Sequence, residues 1–169
     1  MRKLLALLSI LPAFAFAAGD QDPDHDFYTK AAAGGMQEVA MAKLAQQHAS
    51  NASVKEFADM MVKDHTATNE KLKTLAATKG VPLPDALSTT QKASVDTLAM
   101  HSKADFDDAY IKSQIDAHED TVALLQKEIS TGEDADARAF ASNVLPTVQQ
   151  HLAKIKEISA ANKVSANNG

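Results

Sequence analysis

The chain has no cysteine among its 169 residues, so it folds without disulfides and can build neither a thiolate zinc site nor a c-type haem attachment. Any metal it holds must be held by nitrogen, oxygen or thioether. Aromatic residues make up only 5% of the chain, and no long stretch alternates apolar and polar residues, which argues against a sheet. Basic residues are outnumbered, 17 against 22 acidic. Nucleic acid is therefore excluded as a natural partner. Apart from the N-terminus, no apolar run approaches the ~20 residues that a membrane-spanning helix needs.

That N-terminus is distinctive. Arg2 and Lys3 precede an apolar run from Leu4 to Ala18, which contains Ala15-Phe16-Ala17 and gives way to Gly19-Asp20-Gln21-Asp22. This is the pattern of a secretory signal peptide, residues 1–17, cleaved after Ala17 or Ala18. The expected location is periplasmic or secreted, with no membrane span after cleavage. Removing Arg2 and Lys3 moves the formal net charge from −5 to −7. With no lipobox cysteine and an acidic surface, a lipid anchor is not expected either.

The remaining residues, 18–162, suffice for one domain with one core. Alanine, lysine, glutamine and leucine dominate, which favours helix. The spacing predicts a first helix over about 24–47, with Phe27, Ala31, Gly34, Glu38, Met41 and Ala45 on one face. A second helix opens at a capping box, Ser53 to Glu56, and stops at Gly80 before Pro82 and Pro84. Its inward stripe is Val54, Ala58, Met61, His65, Leu72 and Leu75.

A segment of about 25 residues follows, in which Ser88 to Gln91 caps a short helix reaching Met100. It is long for an antiparallel turn and can cross the height of a bundle. The third long helix is expected from Ser102 or Lys103 to Ser130, with Ile111, Ile115, His118, Val122, Leu125 and Ile129 in register. The fourth, from about Asp134 to Ala161, carries Ala137, Ala141, Val144, Val148, His151, Ile155 and Ile158. Pro146 should kink it or loosen a turn. Residues 163–169 are small and polar and are expected to form a disordered tail.

Each long helix thus carries one metal-competent side chain inside its apolar stripe: Glu38, His65, His118 and His151. At 1.5 Å per residue the four lie within about one turn of a common height. A lone buried histidine is more often a hydrogen-bonded core residue than a ligand. A buried carboxylate must be neutral, paired or bound to a cation. The four side chains therefore read either as the ligands of one divalent transition-metal ion, zinc, copper or iron, or as a structural polar network. For the metal reading, proton competition at ordinary imidazoles predicts loss of affinity below about pH 6. Met41 and Met61 add thioethers near the cluster, which would favour copper, or fill the core. Gly34 and Gly35 suggest close helix approach or space for a bound group.

Several local sequences are familiar in this order: Gln37-Glu38-Val39, Phe57-Ala58, Met61-Val62-Lys63-Asp64-His65, Phe106-Asp107-Asp108-Ala109-Tyr110, Asp116-Ala117-His118, Leu145-Pro146 and His151-Leu152. From about Phe27 to Ile158 the chain resembles the secreted bacterial proteins grouped as domain-of-unknown-function family 4142. The resemblance implies an all-α, ferritin-like four-helix bundle with a crossover segment, containing a short helix, between helices 2 and 3. It implies no activity. Di-iron members of the ferritin-like class carry Glu-x-x-His on two helices, but here Val62 and Val148 stand three residues before His65 and His151. A mononuclear site fits the ligands better. Asp64 and Glu119 adjoin histidines but are turned about 100° along their helices and are expected to point elsewhere. Two functions remain open: a periplasmic metal-binding bundle, and a non-enzymatic cell-envelope stress or interaction protein. An oxidase or peroxidase would need an open coordination position, for which four protein ligands leave little room.

Overall fold

The structure, a computed structural model, describes residues 23–167; the expected signal peptide lies outside the described residues. These form five helices and no strand: α1 (Pro23–His48), α2 (Ala52–Lys79), α3 (Thr89–Ala99), α4 (Phe106–Thr131) and α5 (Ala135–Asn167). No described helix is long and apolar enough to cross a membrane.

The helix ends follow local chemistry. Pro23, with no amide hydrogen to leave unpaired, opens α1. The cap of α2 is Asn51 rather than the expected Ser53 box: the Asn51 side chain accepts the Ser53 amide at 2.8 Å. Gly80, at φ 68°, closes α2 in the left-handed conformation, its amide turned back to the last helical carbonyls. The Ser88–Gln91 capping box starts α3 as expected, and the Gln91 side-chain Nε2 donates to the Ala33 carbonyl at 2.8 Å, pinning α3 to α1. Residues 102–105 form a turn before α4 instead of its first turn, with Phe106 N donating to the Ser102 carbonyl. The α5 helix runs unbroken through Pro146 and on to Asn167, past the Asn162 boundary at which the polar tail was expected.

The long helices pack α1 on α2, α2 on α5, α5 on α4 and α4 on α1. Two aspartates tie the hairpins together. Asp24, in the first turn of α1, accepts the amides of Glu133 and Asp134 in the α4–α5 turn. Asp107, in the first turn of α4, accepts the amides of Ser50 and Asn51 in the α1–α2 turn. Each helix start therefore meets the other hairpin's turn. It follows that α1 and α4 are antiparallel, that α2 and α4 run the same way, and that α3 spans the connection between them. Because charge-assisted bonds to backbone are worth about 1.5–3 kcal/mol, Asp107→Ala is expected to lower the unfolding free energy by about that much, read from urea midpoints at unchanged slope. A variant within a few tenths of wild type would remove the clamp from this account.

The core has two apolar halves. One gathers Met41, Phe57, Met61, Phe106, Tyr110, Ile111 and Ile155. The other gathers Phe27, Tyr28, Leu72, Leu125, Ala141 and Val148. Along α1, α2, α4 and α5 the chain passes from one half to the other at Glu38, His65, His118 and His151, so these four form a buried polar belt between them.

Candidate metal centre

Three of the four predicted side chains come together. His65, His118 and His151 each offer a ring nitrogen, and these atoms lie within 4.8 Å of one another. The ring centroids are 5.6 to 5.7 Å apart, and the Phe57 ring covers His118 and His151 at 6.2 and 6.5 Å. Trigonal or tetrahedral coordination with metal–nitrogen distances of ~2.0–2.1 Å needs nitrogens about 3.3–3.6 Å apart. Nitrogens spread over as much as 4.8 Å must therefore draw together by about an ångström to share one ion.

The orientation of two rings is set from outside the cluster. His118 Nδ1 donates to the Gln114 carbonyl at 2.8 Å, which leaves its Nε2 with a free lone pair. His151 Nε2 stands 3.1 Å from Asp64 Oδ2, so its proton belongs on that nitrogen and the lone pair on Nδ1. The atoms so freed, His118 Nε2 and His151 Nδ1, have no partner in the protein, and neither does His65 Nε2. A purely structural network satisfies its buried polar atoms. This one leaves one ring nitrogen of each histidine without a partner.

Burial keeps the rings neutral. It pushes His65 down to about 3, helped by the nearby His118 and His151, and His118 down to about 4 against the Gln114 carbonyl. Burial lowers His151 too, partly offset by Asp64. Neutral imidazole is the ligating form, so proton competition sets in below the pH 6 that ordinary histidines suggest.

Glu38 is not a member of this close group. The residue is 4% exposed, burial pushes its carboxyl up to about 7, and its Oε2 has no partner in the protein. The Gln114 amide favours its charged form, at a geometry short of a full hydrogen bond. Tyr110 Oη and both Gln114 side-chain polar atoms are likewise buried without partners. The two glycines divide their roles: a Cβ at Gly35 would strike the Asn69 side chain, whereas one at Gly34 would meet nothing within 4 Å.

Asp64 corrects the expectation that it points away, because His151 reaches across from α5 to meet it. Glu119 does point elsewhere, to Lys156 at 2.7 Å. Gln114 was missed, although its place one turn before His118 on the same face was a polar break in the stripe.

No curated protein sequence matches the chain. Among solved structures, a DUF305 fragment from Deinococcus radiodurans matches with a TM-score of 0.71 at 12% identity, over 80% of this chain and 94% of that one. CopM in its Cu(I)-bound form matches with a TM-score of 0.68 at 18% identity, over 82% and 96%. The Ag-bound form of CopM gives 0.67 at 19% identity over the same shares. At these identities the likeness is one of fold. Residues 11–158 match the family model described as a domain of unknown function (DUF4142), and the chain belongs to that family.

Proposed function

We propose that this protein is an exported, ferritin-like helical bundle that holds one transition-metal ion on the imidazoles of His65, His118 and His151. The observation that carries this reading is the convergence of three imidazoles that each offer a ring nitrogen within 4.8 Å of the others and each hold one buried ring nitrogen without a hydrogen-bond partner. Hydrogen bonds that fix a ring's outer nitrogen, as Asp64 and the Gln114 carbonyl do, are the usual support of metal-ligating histidine. An all-nitrogen donor set binds Cu²⁺ most tightly among the divalent first-row ions, and the shared fold with CopM, solved with copper and silver, agrees with copper as the first candidate. Three protein donors leave a coordination position open, so the ion can be exchanged or take an outside ligand. Export rests on the N-terminal Arg2-Lys3 and apolar run.

The test is elemental analysis of protein purified without a histidine tag and dialysed against Cu²⁺. Wild type is expected to keep one ion per chain and His118→Ala far less. Asp64→Ala should keep the stoichiometry but bind about 10- to 100-fold more weakly, as loss of an outer hydrogen-bond partner does. Equal substoichiometric copper in wild type and His118→Ala would end the proposal.

A further inference from the structure

The three-histidine centre is buried, so an ion needs a way in. We propose that it enters through the flank of the bundle, from the groove between α1, α3 and α4, past Gly34, with Glu38 as a relay ligand on the way to His65. The proposal rests on the metal-binding reading above and adds the path and its gate.

Two cavities meet on this flank of the bundle. The outer groove, of about 890 Å³, is walled by α1, α3 and α4 and includes Met41, His101, Asp116 and Asp120. These metal-competent side chains are not used by the centre. The inner cavity, about 50 Å³, reaches His65. The two cavities have Gly34, Glu38, Thr121 and Leu124 in common. The groove and the cavity that reaches His65 therefore share part of their lining.

The wall is built to be crossed. Gly34 sits inside α1, where glycine is less favourable than alanine by about 1 kcal/mol, yet an alanine methyl there would meet nothing within 4 Å. Packing does not demand this glycine, and the space beside its Cα is open. Glu38 stands on both cavity walls with a buried oxygen, Oε2, that has no hydrogen-bond partner in the protein. It lies outside the three-nitrogen group, as a transient ligand should. Lys30 also borders both cavities, but its ammonium is paired with Asp26 at 2.9 Å, which mutes its repulsion of a cation.

The experiment follows binding of Co²⁺ to the metal-free full chain by stopped-flow absorbance, and its removal by an excess of chelator, beside the equilibrium affinity. Gly34→Leu fills the gap. It is expected to slow both uptake and release by about tenfold or more at an unchanged Kd, because a barrier on the path changes rates and not end states. Gly34→Ala should stay within about threefold of wild type. Glu38→Gln should slow both rates with Kd within about threefold. Thr121→Leu, which blocks the same wall from α4, replaces Gly34→Leu if melting shows that variant unfolded.

Unchanged rates in the blocked variant would overturn the path while leaving the centre intact. Loss of binding altogether in Glu38→Gln would make Glu38 a resident ligand and overturn the relay. If wild type takes up no Co²⁺ or Cu²⁺ at all, the metal-binding reading falls, and the path with it.

Discussion

Stability of the metal-free protein is expected to decline only gently as pH falls from 6.5 to 4.5 and then steeply toward 3. The sign follows from which state binds the proton. His65 and His118 are held below their ordinary 6.5 in the fold, so the unfolded chain takes up protons that the native one refuses. The penalty for protonating them in the fold is absent above 6.5 and grows as pH falls toward the folded values of about 3 and 4. At 1.36 kcal/mol per unit, the two shifts correspond to roughly 8 kcal/mol. That is comparable with the ~5–15 kcal/mol of a whole domain.

Glu38 works the other way. Its folded value of about 7 lies above the ordinary 4.5, so the native state keeps a proton that the unfolded chain gives up. Its contribution is full below 4.5 and lost as pH rises through 7. Glu128, pushed up by burial and then by the Asp24 side chain, acts in the same sense. Between 6.5 and 4.5 the carboxyls largely offset the histidines; below 4.5 nothing does. Glu38→Gln removes one compensating group. It should be more stable than wild type by about 3 kcal/mol at pH 8, with the difference vanishing by pH 4.5. Urea midpoints across pH decide the matter: a difference that is the same at every pH would mean that Glu38 does not titrate in the core.

The helices were legible because their stripes are regular and their stops are chemically explicit, as at Gly80 and the Ser88–Gln91 box. The height of the polar belt was legible too, since rise per residue is fixed. What periodicity reports is the face on which a Cβ stands. It does not report how far a side chain on a neighbouring helix reaches. Asp64 leaves the inward stripe of α2 as expected, yet it meets His151 because that ring extends toward it. Glu38 lies on the stripe and at the right height but outside the group of nitrogens. The Asn51 cap was hidden for a similar reason: its backbone is held by Asp107, 56 residues away. The lowered histidine values could not be read at all, since they come from burial among residues of three helices.

The double variant His65→Leu/His118→Leu is expected to melt higher than wild type without metal and to take up none. Both positions are buried, and leucine is close to histidine in size, so the swap removes partnerless polar atoms at little steric cost. Replacing imperfectly satisfied buried polar groups by apolar ones often stabilises by about 1–4 kcal/mol, or roughly 3–10 °C in a domain of this size. The choice of positions matters. The Gln114 carbonyl that accepts from His118 sits within α4 and keeps its helical bond, whereas leucine at 151 would strip Asp64 of its partner. A structural polar network makes the opposite forecast, a lower midpoint with no metal effect in either protein. Added Cu²⁺ sharpens the contrast: at about 100 times Kd, binding to the folded state alone stabilises wild type by about 2.7 kcal/mol, enough to overtake a modest lead of the variant. A belt that weakens the empty fold and strengthens the loaded one is selected for its ligand, and a melt that fell in the variant would assign the three imidazoles to the architecture instead.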